Sequence, residues 1–400
     1  MRQNWQRFGA FITSRGMRST SGYYAAYVFL GLAAGFTGPI LPHLAEQTRV
    51  GLDTISFIFI ARSFGYLVGA FFSGRLFDRV PGNPLFAVAV LLGGVALAGM
   101  PFISTTTLLL VLISMLGLAE GTIDVGANTL ILWVHDKKAG PFMNALHAFW
   151  GVGTLLGPIA VAQILLLTGV VKWVFWLFAL LAIPIALWLF FAPSPVTRVR
   201  PVAAGTKPKI NLLLVGGIIL IFILYVGAEI GFGSWLFSYA TRTGMVGETV
   251  AAYLTSAFWT VFTLGRLLGI PLAGRFKPHI IILTDMVGCL VSAGLVLYFS
   301  HSVPMLWLGT MLLGLSMASI FPTVMLFAEE RVHLTSQITS WFMIGTGCGT
   351  MLLPWLIGQS FTRFGPQATM VIVFFDLVAL LMVFWGLKTL FPSKKVKIDG

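Results

Sequence analysis

The sequence SFGYLVGAFFSGRLFDR at residues 63–79 has a counterpart 200 residues further on, TLGRLLGIPLAGRFKPH at residues 263–279. The positions identical in this register include Gly65, Gly69, Gly74 and Arg75 in the first copy, and Gly265, Gly269, Gly274 and Arg275 in the second. Both copies run in the same direction along the chain and lie in strongly apolar surroundings. They predict a parallel repeat, in which two halves of the chain form the same bundle of helices.

The composition predicts an integral membrane protein. Of the 400 residues, 58% are hydrophobic and 10% are charged, with a mean hydropathy of +0.94, far from the values of soluble domains. Continuous apolar stretches with Gly and Pro inside favour helices over a β-barrel. We count twelve stretches, each long enough to cross about 30 Å of hydrocarbon as a helix, near residues 22–45, 52–77, 84–102, 105–133, 140–168, 171–192, 211–240, 248–274, 278–300, 303–328, 335–362 and 366–391.

One polar, proline-bearing segment, APSPVTRVRPVAAGTKPKI at residues 192–210, divides these stretches into six before and six after. The expected fold is therefore all-α, with twelve transmembrane helices in two pseudo-symmetric six-helix bundles. We expect the first bundle at residues 1–192, a cytoplasmic linker at 193–210 and the second bundle at 211–400.

The distribution of basic residues predicts the orientation. With the N-terminus inside, 19 of the 25 Lys and Arg residues fall in cytoplasmic segments, four fall on the other side, and Arg62 and Arg266 lie within spans. This asymmetry accounts for the net charge of +12 without a nucleic-acid partner. The expectation is a multi-pass protein of the plasma (inner) membrane, monomeric in the lipid bilayer, with both termini cytoplasmic.

Motifs of enzymes and pumps are absent from the sequence. It contains no Walker loop, no HExxH, no GxSxG and no Cys/His cluster with metal-binding spacing. We therefore expect neither an enzyme nor a protein with a resident cofactor or metal.

Three of the carboxylates inside apolar stretches are Glu120 and Asp124, between residues 108 and 133, and Glu229, between residues 212 and 239. An ionised group at the centre of a span costs about 2.5–3.5 kcal/mol even on the lenient insertion scale, so such residues normally face a bundle interior or a watery cavity. Their presence predicts a transporter.

Glu120, Asp124 and Asn128 recur every four residues and so share one stripe of a helix. The stripe predicts an ion-coupling site, with sodium possible at Asp124 because carboxylate and amide oxygens are hard ligands. A proton is the alternative, and the sequence does not separate the two. Arg62 is expected to pair with Asp124 or Glu120, either as part of the coupling site or as a structural salt bridge.

Further polar and aromatic residues predict a sugar site, because a pyranose offers hydroxyl edges and apolar C–H faces. For several of them another role is open: Glu229 could pair with Arg266, His147 could be a hydrogen-bonded core residue, and the aromatic rings could be packing residues. The candidate substrate contacts are Asn128, Asn144, His147, Trp150, Tyr225, Glu229, Trp235 and Trp259.

The segment Gly74-Arg75-Leu76-Phe77-Asp78-Arg79, followed by Gly82, resembles the G-x-L-x-D-R-x-G signature between the second and third spans of the major facilitator superfamily. We interpret Gly74, Arg75, Asp78 and Arg79 as a gating loop, with Asp78 expected at the N-terminus of the next helix, where the dipole favours an anion. The alternative is a loop that only sets topology.

Longer segments resemble the fucose-permease and sodium-dependent glucose transporter-like branch of that superfamily. The resemblance implies that Asp124 takes part in coupling and Asn128 in sugar contact. The fucose permeases have an additional Asp in the first span that GFTGPILP at residues 35–42 lacks, which favours the sodium-coupled relatives as the better guide. The matching segments are GLAEGTIDVGANTL (117–130), LHAFWGVGTLLGP (146–158), YVGAEIGFGSWLFSYA (225–240), YLTSAFWTVFTLGRLLG (253–269) and LLPWLIGQSF (352–361).

Together these patterns predict a secondary transporter that moves a hexose-like sugar by alternating access, in symport with sodium or a proton. Two other functions are open: a facilitator-type exporter or carrier of an amphipathic drug or lipid, and a membrane receptor that binds without transporting.

Overall fold

A computed structural model describes residues 15–195, 211–332 and 336–392, and all regular secondary structure in these ranges is helical. Two short 3₁₀ helices, Met100–Phe102 and Asp136–Lys138, accompany the α-helices. The α-helices are α1 Arg15–Gly35, α2 Thr37–Thr48, α3 Leu52–Ile55, α4 Phe57–Phe77, α5 Gly82–Gly99, α6 Thr106–His135, α7 Ala139–Thr168, α8 Lys172–Phe191, α9 Leu212–Arg242, α10 Glu248–Ala273, α11 Pro278–Tyr298, α12 Val303–Met317, α13 Ile320–Glu329, α14 Ser336–Phe364 and α15 Gln367–Leu390.

The helices confirm the predicted all-α membrane architecture. Among the described residues, 10 helical segments are long and apolar enough to cross a membrane, and the bent pair α1–α2 would make 11. Helix α10 is not among them although it has 26 residues. The count of twelve spans stays a prediction.

The first span differs most from its prediction. The sequence predicts one helix near residues 22–45, whereas the structure has two helices that meet at Phe36 with a bend of 55°. Pro39 and Pro42 follow the bend. Proline lacks a backbone N–H and its ring displaces the carbonyl one turn earlier, so a kink is expected just before it.

The described helices fall into two compact units. Of the described residues, unit 1 comprises 15–50 and 60–195, and unit 2 comprises 51–59, 211–332 and 336–392. In unit 1 the main helix pairs are α1 with α7 and α5 with α8, and in unit 2 they are α9 with α14 and α11 with α12. Most of the predicted linker at residues 193–210 lies outside the described residues.

The first glycine of each copy of the sequence repeat packs closely against a neighbouring helical segment. On α4, a Cβ added to Gly65 would lie 2.0 Å from the carbonyl oxygen of Ser114 on α6. On α10, a Cβ added to Gly265 would lie 2.6 Å from the Cβ of Ala318, which follows α12. Only glycine leaves room for such close helix packing. At the first glycine of each copy, the repeat seen in the sequence thus corresponds to close packing in both units.

Candidate functional site

In unit 1, the polar stripe of α6 faces α1 and α4. Gly117 and Gly121 flank Glu120 on α6, and a Cβ on either would lie 2.0 or 2.1 Å from a carbonyl oxygen of α4, that of Arg62 or of Tyr66 respectively. The two backbones are therefore in direct contact. This contact allows side chains of α4 to reach the carboxylates of α6.

Arg62 and Glu120 form a two-pronged salt bridge. Arg62 Nε donates to Glu120 Oε2 at 2.8 Å and Nη2 donates to Oε1 at 2.5 Å. Two further N–H groups of the guanidinium are used as well: Nη1 donates to Thr37 Oγ1 at 2.6 Å and Nη2 to the carbonyl oxygen of Ala33 at 2.9 Å. Glu120 is 4% exposed. Of the two partners expected for Arg62, the structure has Glu120, whose charge is thereby compensated.

Asp124 has a different environment, made of neutral donors. The Tyr27 hydroxyl donates to Oδ1 and the Tyr66 hydroxyl donates to Oδ2. Asn128 Nδ2 also donates to Oδ1 at 3.1 Å and to the hydroxyl oxygen of Tyr27 at 2.7 Å. The salt bridges between described residues do not include Asp124. It is a half-buried carboxylate whose negative charge has no partner cation in that part of the chain.

The three predicted contacts on α7 differ in exposure. Asn144 and His147 are exposed and Trp150 is half-buried. The His147 ring lies 5.9 Å from the Tyr27 ring in an edge-on arrangement, measured between centroids. His147 thus extends the Asp124 cluster onto α7. The roles of Asn144 and Trp150 in substrate contact stay predictions.

In unit 2, Glu229 is almost fully buried, with 4% exposure. Arg266 Nη2 lies 3.9 Å from Glu229 Oε1, and the guanidinium also lies over the Phe262 ring at 4.5 Å from its centroid. One turn before Glu229, the Tyr225 hydroxyl donates to the carbonyl oxygen of Met317 at 2.9 Å. The ion pair between Glu229 and Arg266, one of the two alternatives from the sequence, is thus present, although it is long.

The predicted aromatic contacts of unit 2 are buried in this conformation. Trp235 is 0% exposed and its Nε1 donates to the carbonyl oxygen of Pro354 at 2.8 Å. Trp259 is 2% exposed and packs against the rings of Phe258 and Phe262. A substrate could reach either ring only after a conformational change. Their substrate contacts stay predictions.

The predicted gating loop is only partly a loop: Gly74 and Arg75 lie in the last turn of α4, and Asp78 and Arg79 lie in the turn between α4 and α5. Arg75, Asp78 and Arg79 are exposed, and the Arg75 guanidinium lies 4.8 Å from the centre of the Phe71 ring. Asp78 does not cap the next helix as expected: α5 begins at Gly82 with Pro81 at its N-cap position. Proline favours the start of a helix, so the helix begins beyond Asp78, which lies in the turn after α4.

Replacing Gly74 with Val should slow transport without loss of folding. A Cβ at Gly74 has no atom within 4 Å, so valine fits the folded state, but a β-branched residue stiffens the last turn of α4, which glycine leaves easier to deform. We expect severalfold slower turnover with near-normal equilibrium binding. Uptake rates and binding in detergent, measured on the same preparation, test this.

Gly69→Val is the matched control for that experiment. A Cβ at Gly69 would lie 2.2 Å from the carbonyl oxygen of Leu118, so this variant should lose folded protein as well as uptake. Normal turnover in Gly74→Val would contradict the gating interpretation.

The described residues contain no group of three or more His, Cys, Asp or Glu side chains arranged to hold a metal ion. The oxygen atoms around Asp124 nevertheless suit a monovalent cation by type: two carboxylate oxygens and the phenolic oxygens of Tyr27 and Tyr66. Tyr27 and Tyr66 were not predicted from the sequence. They lie on α1 and α4, and only the fold brings them to α6.

Comparison with known proteins agrees with this architecture. Residues 23–354 match the Major Facilitator Superfamily. The chain is 32% identical over 372 residues to sodium-dependent glucose transporter 1A of Mus musculus, a match that covers 84% of this chain and 88% of that protein. It is 30% identical over 372 residues to sodium-dependent glucose transporter 1 of Homo sapiens, covering 84% and 72%. A crystal structure of the nucleoside transporter NupG has a similar fold, with a TM-score of 0.71, 14% sequence identity, and coverage of 96% of this chain and 100% of that chain.

The fold and the buried polar clusters are those of a multi-pass membrane transporter, not of an enzyme. The chain belongs to the Major Facilitator Superfamily. Within it, the predicted resemblance to the sodium-dependent glucose transporter-like branch is confirmed by the curated relatives.

Proposed function

We propose that this protein is a secondary active transporter that moves a hexose-like sugar by alternating access, in symport with a monovalent cation. The observation that carries the proposal is Asp124, a carboxylate within a span that is held by hydroxyl and amide donors and has no partner cation among the described residues. Such a group is rare in a membrane and normally lies on an ion or substrate pathway.

The chemistry around Asp124 supports a polyhydroxylated substrate. Tyr27, Asn128 and His147 offer both hydrogen-bond donors and acceptors, and Trp150 lies one turn from His147 on α7. Sugar sites combine such groups with flat rings. The names of the relatives from mouse and human point to glucose as the first sugar to test.

The same carboxylate is the proposed place of the coupling cation. If sodium binds, the Asp124 carboxylate would contact the ion in place of the hydrogen bonds from the Tyr27 and Tyr66 hydroxyls. The two hydroxyls would rotate so that their oxygen atoms face the ion. A proton would instead bind to the carboxylate itself. The names of the relatives favour sodium. Glu120 is a weaker candidate because Arg62 already compensates its charge.

The proposal places the protein in the plasma (inner) membrane, as a monomer with cytoplasmic termini. The excess of Lys and Arg in the segments assigned to the cytoplasm supports this orientation. Labelling of single cysteines introduced into the loops, from either side of intact cells, tests it.

Uptake of labelled sugars into proteoliposomes, with sodium and pH gradients imposed separately, tests the proposed function. We expect one or more hexoses to accumulate under at least one gradient, and protein-free liposomes serve as the control. Binding without flux would indicate a receptor. Flux of an amphipathic compound that no hexose inhibits would indicate a drug or lipid carrier.

Replacing Glu229 with Gln should weaken sugar binding by about tenfold, the loss expected when a polar contact in a binding pocket is impaired. The folded protein should be nearly as stable as wild type, because Gln keeps the shape and the ion pair with Arg266 is long, at 3.9 Å. Equilibrium binding and thermal unfolding in detergent are the measurements. If the unfolding temperature falls while folded protein binds sugar normally, Glu229 is structural.

A further inference from the structure

Unit 2 contains a second membrane-embedded acid, Asp285, apart from the Glu229 pair. It lies in the first half of α11, which is one of the segments apolar enough to cross a membrane. A charged carboxylate there has an insertion cost of about 2.5–3.5 kcal/mol at the centre of a span, so it calls for a functional explanation.

Ser319 is the hydrogen-bond partner of Asp285 within the described part of the chain. Its hydroxyl donates to Asp285 Oδ2 at 2.5 Å. Ser319 is 8% exposed and lies between α12 and α13, where the span Val303–Glu329 is interrupted. The acid therefore contacts the break in a neighbouring helix.

The same break is in contact with α9 and α10. The Tyr225 hydroxyl of α9 donates to the carbonyl oxygen of Met317, the last residue of α12. On α10, a Cβ added to Gly269 would lie 3.3 Å from the Cβ of Ser319. Helices α9 and α10 are thus connected to Asp285 through Met317 and Ser319 at the α12–α13 junction. These two helices carry Tyr225, Glu229 and Arg266.

The repeated fold does not itself require this arrangement. In unit 1, α5 has no charged residue and no histidine between Gly82 and Gly99. Helix α6 runs without a break from Thr106 to His135, past the contact with Gly65. Both the acid and the helix break are therefore special features of unit 2.

No salt bridge between described residues involves Asp285. Residues 15–195, 211–332 and 336–392 thus offer this carboxyl one hydroxyl donor and no salt-bridge partner. The titratable or charged residues on α11 and on the helices packed against it are His279, Cys289 and Tyr298 on α11 itself, Glu248, Tyr253 and Arg266 on α10, Glu329 on α13, and Asp376 and Lys388 on α15, with none on α12.

We propose that Asp285 and Ser319 form a proton-binding site at the α12–α13 break, and that its occupancy is coupled to the position of Tyr225. Ionised Asp285 accepts the hydrogen bond of Ser319. When hydronium transfers its proton to the free carboxylate oxygen, water leaves and the neutral carboxyl no longer needs the Ser319 donor. The Ser319 hydroxyl can then turn to another acceptor, which changes the geometry of the break that Tyr225 contacts.

Infrared difference spectroscopy of the full-length protein in liposomes, without sugar, tests the site directly. The C=O stretching band of a protonated carboxyl is followed as pH is changed. We expect Asp285→Asn to lose one titrating band that wild type and Asp376→Asn both retain. Asp376 is a suitable control because it is also a buried acid in a span, with 8% exposure. An unchanged set of titrating bands in Asp285→Asn would overturn the proposal.

Ser319→Ala keeps the carboxyl and provides the second variant, which decides the matter if Asp285→Asn does not fold. The band of Asp285 should persist with a shifted midpoint, because the Ser319 hydroxyl that donates to its carboxyl is gone. An unshifted midpoint would contradict the site. Coupling is tested by hydrogen exchange of the backbone amides of residues 315–323. After correction for the intrinsic exchange rates, the protection of these amides in wild type should differ by about fivefold between pH 6 and pH 8, which is the lower end of typical coupling. Equal protection at both pH values in wild type would disprove coupling.

These measurements need neither a sugar nor transport. A failure of the proposed sugar uptake therefore leaves the proton site standing, and a missing infrared band leaves the sugar proposal standing.

Discussion

Arg62→Met is expected to destabilise the protein by about 3–5 kcal/mol, the usual cost of breaking a buried ion pair from one side. Glu120 would remain 4% exposed with no cation. Thr37 and Ala33 would also lose their guanidinium donors. The loss should appear as a lower unfolding temperature in detergent and as a reduced yield of folded protein.

The double variant Arg62→Met with Glu120→Leu is the control. Replacing both members of a buried pair by apolar residues is often neutral or stabilising, so most of the lost stability should return. If the double variant is as unstable as the single one, the contacts with Thr37 and Ala33 matter more than the pair. If it is stable and still takes up sugar with normal cation dependence, the pair has a structural role only.

Asp124→Asn is expected to abolish the cation dependence of uptake, removing an effect that typically amounts to about 5–150-fold in affinity. Asparagine keeps the size of the side chain but carries no charge, and its amide nitrogen would face the Tyr27 or the Tyr66 hydroxyl in place of a carboxylate oxygen. The hydroxyl can rotate to accept, so folding should survive. Uptake with and without sodium and pH gradients is the measurement.

Asp376→Asn is the matched control for Asp124→Asn, since it removes a buried membrane acid from another helix, α15. It should keep the cation dependence of wild type. Unchanged dependence on both sodium and pH in Asp124→Asn would exclude the coupling role and leave Asp124 as a structural acid.

The helices were largely predictable from the sequence because lipid requires long apolar segments whose ends are polar. Predicted limits such as 105–133 and 211–240 differ by only one or two residues from α6 Thr106–His135 and α9 Leu212–Arg242. The break at Phe36 was not predicted because prolines are tolerated in many membrane helices without a sharp bend.

The candidate site was only partly predictable. Spacing along α6 places Glu120, Asp124 and Asn128 on one stripe, but it contains no information on which side chains of other helices meet them. Tyr27 and Tyr66 are ordinary tyrosines in apolar helices until the fold brings them to Asp124. Trp235 resembles a sugar-binding ring in the sequence, yet its indole is bonded to a buried carbonyl of α14.

Direct backbone contact also restricts how unit 1 can move. Glycines on both α4 and α6 touch carbonyl oxygens of the opposite helix, so that even a methyl group would lie about 2 Å from an oxygen atom. If α4 slid by one residue along α6, larger side chains would be pressed against the opposite backbone. The shear motion, in which packed helices slide past each other, is therefore blocked here. The two helices should travel as a single rigid body, carrying the Arg62 and Asp124 clusters together through any transport cycle.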